Sequence, residues 1–325
     1  MDRTFASPRR CAIGLSALMW FATAPPSEAM PQQQGPAVEG ASAVPQVTVT
    51  APRPPTPEEL AGDSIPNFLI AHARPSPASG QLAVWKQPVC AVVLGLTPAF
   101  NSFVSERIAA VADSVGAPHG ATGCKPNVHI FFTTDPQAIA NAVAKQLPEA
   151  LGFHYVSETR KLATLQHPIE GWYATATEGD KGDIALDAPE LLSSTPDSPL
   201  TGRGMLESKT PPARLGTRLT TGRTSLLVNA LVLVDLKKIA GYEIGPISDY
   251  LAMLVLSQTR QQDACGQLPS VLDLMAPACD RDKPTAVTAG DLAFLRALYK
   301  TELRTSYYME SGSINARMAA ELAPH

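Results

Sequence analysis

The sequence predicts an α+β domain with a mixed sheet packed by helices, and three observations carry this prediction. Residues 226–236 are almost continuously apolar and rich in Leu and Val, which is typical of a strand buried on both faces. Gly245-Pro246 then opens a helix, since proline suits a first turn whose N–H has no partner. Residues 250–256 are all apolar, so this helix is expected to be buried nearly all round. A central strand therefore leads into a central helix.

Composition limits the classes of function. Hydrophobic residues make up 45% of the 325 residues and charged residues 17%, which indicates a globular chain with a sizeable core. A net charge of −4 lacks the basic footprint of a nucleic-acid-binding domain, so no nucleic-acid partner is expected. Neither G-x-x-x-x-G-K nor G-x-G-x-x-G occurs, and no cofactor is predicted.

The N-terminus has the pattern of a secretory signal peptide. Arg9-Arg10 precedes the apolar run 11–24, and small residues follow it. The run is shorter than the roughly 20 residues of a transmembrane helix, although a membrane anchor or a mis-set start codon is the alternative. Cleavage is predicted after Ala29 rather than after Ala24, because Pro25 would follow the earlier cut. Residues 1–29 are thus expected to be removed, leaving an exported, periplasmic or envelope-associated protein with no integral membrane segment.

Four cysteines remain beyond the signal peptide, and an even number in an exported chain predicts disulfides. The pairing expected is local in sequence, Cys90 with Cys124 and Cys265 with Cys279. A zinc site is the alternative, but no C-x₂-C spacing exists. Free buried thiols are the remaining reading.

Residues 30–80 are predicted to be a linker before an α+β domain at 81–325. Its first part is rich in Pro, Gln, Ala, Gly and Ser, as disordered segments are. Residues 46–55 resemble the V-T-A-x-R stretch near the mature N-terminus of TonB-dependent outer-membrane receptors, although a Pro-rich tether explains the composition as well. The apolar segment 65–73 is expected to dock on the domain.

Within the domain, hydrophobic periodicity and turn signals place the other elements. Phe100 and Phe103 head the apolar face of a helix that Thr97-Pro98 opens. A strand over 169–177 alternates and is expected to be open on one face. The remaining predictions are a strand over 89–94, a strand over 127–134, a helix over 137–147, a loop over 192–223, a turn over 268–275, a helix capped by Thr288-x-x-Asp291 and a last helix from Ser313.

The order of these elements, with the text TAGDLAFLRALY at residues 288–299, resembles exported bacterial families of unknown function with a zincin-like, metallopeptidase-type organisation. A zincin carries H-E-x-x-H on its central helix, because histidines four residues apart bind one metal from one helix face. At the corresponding turn this chain has Ser248, Asp249 and Ala252, so both histidines are missing. The resemblance therefore implies a fold that has lost its metal, and no metal site is predicted.

Only weak candidates for catalysis remain. Asp249 occupies the place of the zincin acid, Glu243 precedes the helix as a partly buried acid, and His154 lies on a connection where it could meet His167. Ser248 and Asp249 at a helix start are also explained by capping, and separate structural histidines are the simpler reading of the other pair. No G-x-S-x-G elbow supports a serine hydrolase.

Two hypotheses about function follow. The first is a non-catalytic, zincin-like domain that binds a protein or peptide in the cell envelope. The second is a hydrolase that uses Asp249, Glu243 or a histidine in an arrangement that the sequence does not display. A deep cleft where Asp249, Glu243 and His154 converge favours the enzyme, whereas a shallow surface with Asp249 engaged in capping favours the binder.

Overall fold

The structure is a computed structural model, and it describes residues 56, 59–121, 123–187, 220–259 and 263–323. All of them lie in the compact unit Arg53–His325. The predicted signal peptide, the 46–55 segment and the predicted 192–223 loop up to residue 219 lie outside the described residues. Among the described residues, no helix has the length and apolar character needed to cross a bilayer.

In the described ranges, six strands form one mixed open sheet. They are β1 (Ala83–Trp85), β2 (Ala91–Leu94), β3 (Val128–Thr133), β4 (Ile169–Glu178), β5 (Ile184–Leu186) and β6 (Thr224–Asp235). The order is β2-β3-β6-β4-β5, with β1 beside the first half of β6. β1, β2, β3 and β6 run parallel, whereas β4 and β5 are antiparallel to their neighbours. The predicted mixed sheet is therefore confirmed.

Helices cover both faces of this sheet. They are α1 (Ile65–His72), α2 (Pro98–Val115), α3 (Pro136–Gln146), α4 (Thr159–Leu162), α5 (Ile244–Leu256), α6 (Ala289–Lys300) and α7 (Tyr307–Leu322). The main core joins one sheet face to α1, α2, α5, α6 and α7. A smaller core joins the other face to α3 and to the connection that contains α4. The result is a sheet between two helical layers.

The central strand and helix occupy the predicted places. Alternate residues of β6 serve the two cores, with Val232 and Val234 in the main core and Leu231 and Leu233 in the smaller one. All residues of α5 from Pro246 onward are buried, as its unbroken apolar sequence requires.

Several elements differ from the sequence-based prediction. β4 is buried on both faces over most of its length, because α3 and the α4 connection cover the side that was expected to face water. Phe100 and Phe103 are 49% and 42% exposed, since the first turns of α2 lie outside the core that its later residues build. The last helix begins at Tyr307, before the predicted Ser313. α1 forms at the predicted docking segment and contributes Ile65, Phe68 and Leu69 to the main core.

The cysteines at positions 90, 124, 265 and 279 form two sequence-local disulfides, as predicted. Cys90 pairs with Cys124 at a Cα–Cα distance of 5.9 Å, and Cys265 pairs with Cys279 at 5.0 Å. Both separations fall in the usual range for disulfides. Two such cross-links fit a protein that folds in an oxidising compartment.

The C-terminal helix is tied to the beginning of the sheet by a buried carboxylate. Glu310 of α7 is fully buried and accepts a hydrogen bond from the Leu82 backbone N–H (2.9 Å) and one from Gln81 Nε2 (3.4 Å). Burial raises the pKa of Glu310 from its ordinary value of 4.5 to about 7, although these hydrogen bonds oppose the increase.

This carboxylate predicts a dependence of stability on pH. Between pH 4.5 and about 7 the folded state retains a proton on Glu310 that the unfolded state has released. The free energy of unfolding should therefore fall as the pH rises through this window, by about 2–3 kcal/mol. Urea unfolding at pH 4.5 and pH 8 measures the change, and Glu310→Gln should abolish this part of it. An equal pH dependence in the variant would contradict the assignment.

Candidate functional site

Two of the three predicted acid and base candidates lie at the central helix α5, Asp249 within it and Glu243 at its start. Glu243 precedes its first residue, is exposed and makes no side-chain capping bond, so the predicted partial burial is wrong. Ser248 is buried, and its Oγ donates to the carbonyl of Ile244 (2.6 Å) in the preceding turn. Neither side chain is positioned as a nucleophile or a base.

Asp249 is not a helix cap but one half of a buried ion pair. Its Oδ2 lies 3.0 Å from Nη2 of Arg107 on α2, and Nε of Arg107 binds the other oxygen. The backbone N–H of Val287, just before α6, donates to Oδ2 as well (3.1 Å). Both carboxylate oxygens are therefore occupied, and they join α2, α5 and the start of α6.

His154 is likewise satisfied by its own neighbourhood. Its side chain is buried, and Nδ1 donates to the Gly152 carbonyl at 2.7 Å, since a carbonyl only accepts. Nε2 lies 3.0 Å from Oγ1 of Thr159. With both ring nitrogens bound within the segment 152–159, His154 stabilises the connection between α3 and β4.

The structure does not bring these candidates together. Asp249 belongs to the helical layer on the main-core face, whereas His154 lies among residues of the second layer. Glu243 is about 9 Å from Asp249 along the helix axis. Among the described residues, no three His, Cys, Asp or Glu side chains cluster closely enough to hold a metal ion.

A different cleft gathers polar side chains, at the outer side of β4. It has a volume of about 330 Å³ and is lined by Arg74, His167, Glu170, Gly171, Tyr173, Leu254 and Thr259. These residues come from four segments: the chain after α1, the start of β4, the end of α5 and the chain that follows it. The backbone of Arg74 is fixed there, because its N–H donates to the Gln258 carbonyl at 2.9 Å.

The charges in the cleft are arranged around His167. Its Nδ1 lies 3.4 Å from Oε2 of Glu170, and its Nε2 lies 3.7 Å from Oδ1 of Asp263. The same oxygen of Glu170 accepts the backbone N–H of His167 at 3.3 Å. Arg74 forms no ion pair with another residue that the structure describes, so its guanidinium is available to an anionic group.

Two hydroxyl groups complete the cleft. Tyr173 donates to the Leu254 carbonyl (2.9 Å), and burial raises the pKa of Tyr173 so that the phenol stays protonated. The Thr259 hydroxyl is buried beside the Tyr173 phenol, and its Oγ1 forms no well-aligned hydrogen bond with a described atom. An unsatisfied buried hydroxyl is costly, so this group is suited to receive a ligand atom.

The backbone of β4 is open along the same cleft. Asp235 donates its N–H to the Pro168 carbonyl (2.8 Å), so positions 168 and 235 form a hydrogen-bonded pair of the β4–β6 ladder. Gly171 and Val232, three positions along, then form a pair without hydrogen bonds to each other. Because antiparallel pairs alternate, the N–H and C=O of Gly171 point away from β6. On that side β5 pairs only with Ala176, Thr177 and Glu178, and no strand in the described ranges pairs with Gly171.

The sequence contained a partial signal for this site. The sequence suggests His167 only as a residue that His154 could meet, and it lies two positions before the predicted strand over 169–177. Arg74 and Thr259 were missed, because they are brought together by an isolated antiparallel bridge between Ala73 and Thr259, far apart in sequence. Comparisons of the chain with family models, with curated proteins and with solved structures found no match.

Proposed function

We propose that this chain is a non-catalytic, zincin-like domain of an exported, periplasmic or envelope-associated protein, and that it binds an extended segment of a protein or peptide. The observation that carries the proposal is the open edge of β4 at Gly171, which faces a cleft where Arg74 forms no ion pair with a described residue. An extended chain that adds to a sheet edge gains main-chain hydrogen bonds, and neighbouring pockets select its side chains.

Two further observations support a binding role. The acid at the zincin position, Asp249, has both oxygens bound to Arg107 and Val287, so no free carboxylate remains on α5 to activate water. The two disulfides fit the proposed export. In the cleft, Arg74 and the Thr259 hydroxyl offer a positive charge and a hydrogen bond to a peptide carboxylate.

A hydrolase is the second candidate, with His167 as its base instead of His154. One observation favours it: His167 is oriented by Glu170 in the same cleft as the buried hydroxyl of Thr259. An acid, an imidazole and a hydroxyl are the groups of a nucleophilic mechanism.

Proline at position 171 is the test of strand addition. Its missing N–H removes a hydrogen bond from the open edge only, and edge strands tolerate proline. We expect peptides selected from a displayed random library on the wild-type protein to bind Gly171→Pro at least about tenfold more weakly, a loss of about 1.4 kcal/mol. Fluorescence anisotropy measures the affinity, and Gly171→Ala, which retains the N–H, is the matched control.

Peptide cleavage is followed in the same samples by mass spectrometry. Cleavage by the wild-type protein that is lost in His167→Gln and in Thr259→Val would favour the hydrolase and contradict the non-catalytic proposal. Selected peptides that bind Gly171→Pro and the wild-type protein equally, with unchanged urea midpoints, would show that the β4 edge is not the binding site.

A further inference from the structure

The second helical layer contains a larger groove that the proposed function does not use. It has a volume of about 910 Å³ and lies between α3 and the connection over residues 156–164. One wall presents Asn141 and Lys145, and the other presents Val156, Arg160 and Lys161. It lies on the opposite side of the sheet from the Arg74 cleft, because α3 packs on the smaller core.

The two walls are held at a fixed separation. Gln137 of α3 donates from Nε2 to the Ala163 carbonyl (2.7 Å) and accepts the Leu165 N–H at Oε1 (3.2 Å). The Trp172 indole N–H of β4 donates to the Leu162 carbonyl at 3.0 Å. Because these bonds fasten the second wall to α3 and to the sheet, the groove is preorganised and a ligand need not order it.

The groove is positively charged in a chain whose net charge is −4. Lys145, Arg160 and Lys161 are exposed, and none of them forms an ion pair with a residue that the structure describes. None of the described lining residues is acidic. The nearest glutamate in the sequence of this wall, Glu158, accepts the Tyr155 N–H at 3.1 Å as part of a capping box.

We propose that this groove binds an acidic, extended segment of a partner protein. Three cations on two facing walls complement carboxylates spaced along a chain, and such complementarity steers encounter and fixes register. The 55% exposed Val156, with Ala144 and Ala163, offers apolar surface to a side chain between the carboxylates. None of the lining residues in the described part of the chain is aromatic, and single-stranded nucleic acids are normally bound by stacking their bases on aromatic side chains.

Binding of defined anionic probes tests the proposal on the full mature chain. The probes are a fluorescein-labelled peptide of alternating Glu and Ser, a labelled oligodeoxythymidine of equal charge, and vesicles that contain phosphatidylglycerol. We expect the peptide to bind, with an affinity that decreases as salt is added. The variant Lys145→Glu/Arg160→Glu/Lys161→Glu should bind it at least about tenfold more weakly, or about 1.4 kcal/mol.

The matched control is Lys237→Glu/Lys238→Glu/Lys300→Glu, which makes the same change in net charge at exposed lysines outside the groove. It should bind the peptide within about twofold of the wild-type affinity. Arg160→Gln alone serves if the triple variant does not fold, and it should show a smaller loss in the same direction. Equal binding by the groove and control variants, or a preference for the oligonucleotide or the vesicles, would overturn the proposal.

The proposal of strand addition at β4 and the proposal of the basic groove are tested independently. Gly171→Pro should leave binding of the acidic peptide unchanged, and the groove variant should leave binding of the library-selected peptides unchanged. A loss of both activities in either variant would contradict the assignment of two separate sites.

Discussion

Replacing Arg107 by Met should lower the free energy of unfolding by about 3–5 kcal/mol. The substitution leaves the Asp249 carboxylate, which is 2% exposed, with only the Val287 N–H as a partner. An uncompensated buried charge is far more costly than the net contribution of the pair itself. Urea unfolding at pH 7 measures the loss, and the exposed Arg160→Met is the control, expected within about 0.5 kcal/mol of the wild type.

The two partners of this ion pair should not be equivalent. Asp249→Asn retains an acceptor for Val287, and the Arg107 side chain, 40% exposed, can reach water when it loses its partner. We expect this variant to cost less than Arg107→Met. Arg107→Met/Asp249→Leu should recover most of the lost stability, because it removes both charges from the interior. A loss in Arg107→Met as small as that of the exposed Arg160→Met, within about 0.5 kcal/mol of the wild type, would contradict the stabilising role of the ion pair.

Asp291→Ala should have an effect of similar size, roughly 2–6 kcal/mol, because it orphans buried donors. Asp291 is fully buried and accepts from Ser270 Oγ (2.6 Å), from the Val271 N–H (2.8 Å) and from the Thr288 N–H (2.9 Å). Burial raises the pKa of Asp291, and these bonds oppose the increase. Each of the two backbone N–H donors left without an acceptor costs about 1–3 kcal/mol, whereas the Ser270 hydroxyl can rotate to another acceptor.

Asp291→Asn is the matched comparison. An amide oxygen in place of Oδ2 still accepts both backbone N–H groups, and the amide nitrogen can donate to Ser270 Oγ. Its loss of stability, measured by urea unfolding, should be well under half that of Asp291→Ala. Equal losses would mean that the carboxylate charge, and not the satisfaction of donors, stabilises this junction.

Asp291 also illustrates how far local sequence patterns extend. The T-x-x-D pattern predicted the capping box of α6, and Thr288 and Asp291 form it. The same carboxylate reaches Ser270 and Val271, about twenty residues earlier, and no local pattern specifies that contact. β6 and α5 were predictable because an element that is buried on all sides is apolar along its whole length, and this is visible in its own sequence.

The candidate site was predicted less well, because it depends on contacts between distant segments. Arg107 and Asp249 are separated by 142 positions, so the ion pair that occupies the acid was not visible in the sequence. His154 and His167 flank one connection, but the His154 ring is hydrogen-bonded within its own loop, whereas His167 lines a cleft. Phe100 and Phe103 lie in the predicted helix, but hydrophobic periodicity does not reveal which turns of a helix are buried in the core.

The position of β6 in the chain has a consequence for how the protein acquires its fold. β1, β3 and β4 all pair with β6, which begins only at Thr224. A growing chain that ends before this residue has no central strand, so the contact order is high and folding is expected to be slow. Slow folding suits a chain that crosses a membrane unfolded, as the proposed export requires. It also leaves the apolar strands exposed in transit, where a chaperone would have to shield them until β6 arrives.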